Sequence, residues 1–377
     1  MPIIFNEYAI SGGRNMTRNL NAANLSRRQC LCAIALLAPA ITAVGQQPTA
    51  PTRTTELRTT GTTSLPVQSR VYRLEGATNA PVVVTAIAAD PRGQYLAVSG
   101  DDHVIRILSA ANYRVVHKLT GHRDLIRSLA FDPAGEKLVS AGNDGQLMLW
   151  DRGDAFAQLQ VMSGTPAIAR VRFAPDGREM AAVGFDNEIY LIGRTVRPRS
   201  VLQCDCNDLR AVAYREDGAV IAVAGRSGDL HLFHPERGEL SSEHPLHKGR
   251  IHDVVFHRQS NIAVSVGEDG DVTVFDTRER KLRHRVNVTT GKLFAVAVLN
   301  SHSVAVAGSD NVIRVVNTDV GEVTQTLEGH RGSIAALAAS DDGLVSGGFD
   351  AMLRRWSIAD IVTYGARIAD ADGSVGR

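Results

Sequence analysis

"GHRDLIRSLAFDPAGEKLVSAGNDGQLMLWD", residues Gly121–Asp151, opens on Gly-His, closes on Trp-Asp and alternates apolar with polar residues in between. "GHRGSIAALAASDDGLVSGGFDAMLRRWS", residues Gly329–Ser357, has the same layout 208 residues further on. The apolar residue that opens the alternating run after the turn recurs throughout. It falls at Val84, Ile126, Ile168, Leu209, Ile251, Leu293 and Ile334, in steps of 42, 42, 41, 42, 42 and 41 residues. Seven occurrences at near-constant spacing define a repeat.

Within each unit the period is 2 and not 3.6. "IRSLAF", "KLVSAG" and "QLMLW" alternate as half-buried strands do. Between the first two strands lies a turn written "DPRG", "DPAG", "PDG", "EDG" or "DDG" in five of the seven units. Asp there bonds its own backbone, and Gly supplies the left-handed conformation of a tight turn. Three strands after each opening turn and one before it make four per unit. The last unit ends at Met352–Ser357 without a following strand, so "RVYRLEG", Arg70–Gly76, is expected to complete it from the other end of the chain. A period of about 40–45 residues is the mark of propeller blades. The expectation is an all-β fold: a seven-bladed β-propeller of four-stranded antiparallel blades over residues 70–357. The N-terminal strand joins the last blade and closes the ring, which leaves no open sheet edge. The one stretch with a short helical pattern is Ser357–Ala371, within a C-terminal tail at 358–377.

Period, register and motif together make this chain resemble the WD-repeat β-propeller family over nearly all of residues 70–357. In that family a buried network links the His of Gly-His, a Ser or Thr of the second strand, an Asp in the next turn and the Trp. The resemblance places this network on His122, Ser140, Asp144 and Trp150 in the second unit, and on His330, Ser346, Asp350 and Trp356 in the seventh. The fifth unit keeps His247, Ser265 and Asp269, with Phe275 where Trp is usual. Asp102, Asp186 and Asp310 stand alone in their units, and Ser227 replaces the Asp of the fourth. His122, Ser140 and Asp144 have the composition of a hydrolase triad, but the same set recurs in a distant unit, which favours architecture. The family role implied is a rigid, non-catalytic platform for protein or peptide partners, not an enzyme.

Outside the repeat, "NLSRRQCLCAIALLAPAITAVGQ", residues 24–46, has two arginines, an apolar run and a small-residue exit. That is the layout of an export signal, and residues 1–45 are read as an N-terminal extension carrying one. The run is too short for a convincing spanning helix. "SRRQCL" resembles the bacterial twin-arginine signal, departing from it at Cys30, where Phe is usual. Met16 gives a shorter charged region than Met1. The signal is cleaved or kept as an anchor; cleavage implies a periplasmic or envelope protein with no span in the mature chain, and a cytoplasmic protein is the alternative. Residues 46–69 are rich in Thr and Pro, without apolar period, and read as a disordered linker.

The composition is ordinary for a globular protein: 44% hydrophobic, 21% charged, net charge +1. Nothing in that balance argues for nucleic acid, and the expectation is a monomeric propeller without nucleic acid. There is no haem-attachment motif, no Gly-rich phosphate loop and no pair of carboxylates unexplained by turns, so no cofactor is expected.

Two columns of the repeat are not explained by architecture. The residue after the aligned apolar position is Thr85, Arg127, Ala169, Arg210, His252, Phe294 and Ala335. The residue before the turn Asp position is Asp101, Asn143, Phe185, Arg226, Glu268, Ser309 and Phe349. Aromatics and arginines are enriched in contact hot spots. Arg127, Asn143, Phe185, Arg210, Arg226, His252, Glu268, Phe294 and Phe349 are therefore the expected partner-binding residues. They form a basic and aromatic patch on the top face, suited to an acidic or mixed peptide. A second reading uses the corner of Cys204, Cys206 and His252, with thiol and imidazole donors suited to Zn²⁺ or copper in a metal- or ligand-binding propeller or propeller enzyme. No spacing there matches a closed metal site, and a bridge between Cys204 and Cys206, two residues apart, is expected to be strained.

Overall fold

The computed structural model describes residues 67–193, 198–341, 343–357 and 361, except 75, 77–79, 205 and 207. The expected export signal, the expected linker up to residue 66 and the tail apart from Ile361 lie outside the described residues. The described strands form seven four-stranded antiparallel sheets, each ordered from an inner to an outer strand. The inner strands are Val84–Ala89, Ile126–Phe131, Ile168–Phe173, Leu209–Tyr214, Ile251–Phe256, Leu293–Val298 and Ile334–Ser340. They open blades one to seven in that order. No helix among the described residues is long and apolar enough to cross a membrane.

The first three strands of each blade are rich in Val, Ile, Leu and Ala, which suits a pleated surface packed by neighbours. Turns set their lengths. In the "DPAG" turn, the amides of Glu136 and Lys137 donate to Asp132 Oδ1 at 2.6 and 2.8 Å, and Gly135 takes a φ of 63°.

One expectation is corrected here. The second and third strands are not half-buried. Leu138 to Ala141 and Leu147 to Trp150 are buried without alternation. Each blade is sandwiched between two others, so both faces of its middle strands are covered. Outer strands are more exposed, and Lys281–Asn287 alternates between exposed and half-buried residues.

Ring closure follows the expectation. Strand Ser69–Arg73 pairs antiparallel with Met352–Trp356, Ser69 opposite Trp356 and Arg73 opposite Met352. Arg354 also donates to Ser69 Oγ at 3.0 Å.

The buried networks form in blades two, five and seven. His122 Nδ1 lies 2.9 Å from Asp144, its Nε2 lies 2.8 Å from Ser140 Oγ, and Trp150 Nε1–H donates to that same hydroxyl at 2.9 Å. His330, Asp350, Ser346 and Trp356 repeat this at 2.9, 2.7 and 2.9 Å. One proton order satisfies every group: indole to hydroxyl, hydroxyl to Nε2, Nδ1–H to carboxylate. It requires neutral imidazoles, and burial lowers both His122 and His330 against the pull of their aspartates. In blade five, His247 joins Asp269 and Ser265, each at 2.9 Å, and Thr273 supplies the hydroxyl contact to Ser265 at 2.6 Å that Trp cannot.

Thr273 belongs to a third-strand column that the sequence did not single out. In blades lacking the histidine, this column reaches the turn Asp instead. Arg106 grips Asp102 at 3.0 and 2.5 Å, the Tyr190 hydroxyl donates to Asp186 at 2.8 Å, and Arg314 lies 2.7 Å from Asp310. In blade four the turn still forms, the Asp229 amide donating to Ser227 Oγ at 3.2 Å. Its column residue is His231.

Candidate functional site: an arginine-lined channel mouth

Every pairing of inner with second strand contains a β-bulge at one position. The register steps over Thr85, Arg127, Ala169, Arg210, His252, Phe294 and Ala335. A bulge leaves one residue out of the ladder and re-aims its side chain. All seven of these residues line one cavity of about 570 Å³, to which every blade contributes. The column picked out in the sequence is therefore the column that the bulge turns toward the channel.

Five arginines share this cavity: Arg127, Arg170, Arg172, Arg210 and Arg250, against the carboxylates of Asp101 and Asp253 in its wall. Arg170 reaches across to blade five, 3.0 Å from Asp253 and donating to the His252 carbonyl at 3.3 Å. Arg210 and Arg250 share Asp208, at 2.6 and 2.5 Å. Glu268 accepts from Arg250 at 3.2 Å and Lys292 at 3.1 Å. Burial opposes its ionisation, but Lys292 and Arg250 hold Glu268 below its ordinary value.

The remaining two arginines are held by neutral partners. Arg172 is bonded to Ser128 Oγ and the Val171 carbonyl, and burial beside Arg170 pushes it down to about 10. Arg127 donates from Nε to Asn143 Oδ1 at 2.7 Å. Partial burial and the charge of Arg210 lower it. Among the described residues neither pairs with a carboxylate.

The aromatic residues sit at the mouth. Arg210 lies 3.8 Å and Arg127 5.8 Å from the centre of the Phe185 ring. Phe185 is 40% and Phe349 63% exposed. His252 meets Phe294 edge-on with centroids 5.2 Å apart. Burial pushes His252 down to about 4, Glu268 pulling upward and Arg250, Arg210 and Lys292 pushing further down. It is a neutral donor or acceptor at neutral pH.

Of the nine expected contact residues, Arg127, Arg210, His252, Phe294 and Phe349 line the cavity, and Phe185, Asn143 and Glu268 bond or stack on lining residues. Arg226 is exposed and is not among the residues that line the cavity. Sequence reasoning missed Arg170, Arg172 and Arg250. Arg172 is a single arginine in a column otherwise filled by Ala and Val, whereas the column of Arg170 also holds Asp253 and that of Arg250 holds Asp208 and Lys292.

The Cys204, Cys206 and His252 corner does not assemble. Cys204 and Cys206 are paired as a disulfide, with Cα atoms 5.1 Å apart. Both are buried with Leu202 and Phe233 in the seam between blades three and four, whereas His252 is in the channel wall.

Comparison with known proteins agrees with the architecture. Residues 68–109, 113–151 and 321–357 match the WD domain, G-beta repeat family. The chain is 29% identical over 158 residues to a periodic tryptophan protein 2 homolog of Dictyostelium discoideum, covering 40% of this chain and 17% of that protein. It is 24% identical over 144 residues to human WD repeat-containing protein 36, covering 37% and 16%. It is 29% identical over 154 residues to Actin-interacting protein 1-2 of Arabidopsis thaliana, covering 39% and 25%. The chain thus spans between about a sixth and a quarter of these relatives' lengths. Three matched repeats make this chain similar to WD-repeat proteins, and the seven four-stranded blades and the His–Ser–Asp–Trp networks of blades two and seven agree with that likeness.

Proposed function

We propose that this chain is a non-catalytic scaffold whose channel mouth holds an acidic segment of a protein partner. The observation that carries the reading is the convergence of five arginines on one cavity, with Arg127 and Arg172 unmatched by carboxylates. Guanidinium groups present planar donor pairs that fit a carboxylate. Phe185 and Phe349 add exposed apolar area beside them, the composition of contact hot spots. The WD-repeat relatives point to the same class of protein-binding activity. Export is part of the proposal and rests on the pattern of residues 24–46; fractionation of the native cell with N-terminal sequencing of the chain tests it.

The binding test uses a fluorescein-labelled hexaglutamate peptide and its hexaglutamine counterpart against the full chain. The expected result is binding of the acidic peptide alone, weakened at least tenfold by Arg127→Ala with Arg210→Ala. Equal binding of both peptides, or no effect of the double substitution, overturns the reading.

A further inference from the structure

Blade four is the one blade that has lost every member of the buried network. Asp205 stands at the His position, Val223 at the Ser, Ser227 at the turn Asp and Phe233 at the Trp. In the same blade the third-strand column carries His231. Its equivalents Arg106, Tyr190 and Arg314 each bond the turn Asp of their blade. Ser227 leaves no such carboxylate. The His231 side chain is 4% exposed, and neither of its ring nitrogens has a hydrogen-bond partner. A buried polar group without a partner is rare in folded proteins and asks for one.

Two carboxylates surround it. His231 lies on strand Asp229–His234, opposite Glu243 of strand Glu239–Pro245. Residues 229 and 231 share a face of that strand, because side chains alternate with period 2. One ligand atom from each of Asp229, His231 and Glu243 lies within 4.8 Å of the other two. His231 Nδ1 is 3.7 Å from Glu243 Oε2, too long for a hydrogen bond. Two donors each about 2.1 Å from one ion span up to about 4.2 Å, so this gap has the width of a shared metal. The carboxylates are partly exposed and free to close the rest.

Blade five shows what the same positions look like when they are structural. There Asp271 is met by Arg285 at 3.2 Å and by Asn287 Nδ2 at 2.8 Å. Their blade-four counterparts are Glu243 and Pro245, which bring no donor. Two acids and an imidazole thus face one another without a cation from the described residues.

We propose that Asp229, His231 and Glu243 form a binding site for a first-row divalent transition ion of the Zn²⁺ class at the outer strands of blade four. Imidazole nitrogen beside carboxylate oxygen selects such ions over Ca²⁺ and Mg²⁺, which take oxygen ligands. The three side chains leave further coordination positions open to water.

The test titrates Co²⁺ into the full chain and follows its visible d–d absorption, then repeats the titration with Zn²⁺ by calorimetry. The expected result is one ion per chain. Glu243→Gln alters a half-exposed side chain and is expected to weaken binding at least tenfold with an unchanged circular dichroism spectrum; His231→Ala is expected to abolish it. His234→Ala, three residues on and outside the trio, is expected to leave it intact. Absence of stoichiometric binding, or binding that survives both His231→Ala and Glu243→Gln, overturns the proposal.

Discussion

The Arg210 guanidinium carbon lies 3.8 Å from the centre of the Phe185 ring, so that two adjacent blades meet at the channel mouth through a cation and an aromatic face. Such pairs contribute about 0.5–1 kcal/mol where water reaches them. A double-mutant cycle with Phe185→Ala and Arg210→Met is expected to show coupling of that size in urea unfolding. Strictly additive effects would assign the contact to proximity alone.

Ser140 takes the Trp150 indole proton and faces His122 Nε2. Ser140→Ala leaves both groups buried without their partner, and a loss of about 1–3 kcal/mol is expected. Thr273→Val in blade five strands fewer groups, since Phe275 carries no donor there, and its cost is expected to be smaller. Thermal unfolding of the two variants side by side measures the difference.

Gly145 follows Asp144 with φ at 64°, and a Cβ there would run into the Thr165 carbonyl. Gly145→Ala is expected to cost about 2 kcal/mol or more, through a left-handed alanine and a steric conflict with backbone. Gly93→Ala, at φ 69° with open space around it, carries the conformational part alone. The gap between their denaturation midpoints isolates the clash.

His252 titrates near 4 in the fold, against about 6.5 in an unfolded chain. Between those values the unfolded state holds the proton and the folded state does not. Stability therefore falls as pH drops from about 6.5 to 4, by about 1.4 kcal/mol per pH unit for this one group. Above about pH 7.5 the group adds no pH dependence. Burial lowers His122, His257 and His330 as well, which adds slope of the same sign. Denaturation of the His252→Gln variant at pH 4.5 and pH 6 is expected to show a shallower slope than the parent chain.

The seven-fold repeat was legible because Val84, Ile126 and their equivalents must recur wherever a blade begins, and a fixed blade size makes that recurrence metric. The networks of His122 and His330 were legible because each member is polar in a setting that otherwise selects apolar residues. The bulge column was visible as a column, but only the backbone shows why Arg127 and His252 leave the ladder. Arg170 and Arg172 were invisible for the opposite reason. In a strand read with period 2 they fall on the same face as core alanines, and only the closing of the ring turns that face into a channel wall. The pairing of Cys204 with Cys206 is not disclosed by their two-residue spacing.

The clasp between Ser69–Arg73 and Met352–Trp356 sets a schedule for biosynthesis. Ser69 and Arg354, bonded in the finished ring, are separated by 285 residues. A ribosome adding about 5–20 residues per second needs on the order of 15–60 seconds to cover that distance. Throughout that time the first strand made has no partner, while the blades behind it are completed one after another from neighbouring sequence. The earliest strand of the propeller to emerge is the last to be seated.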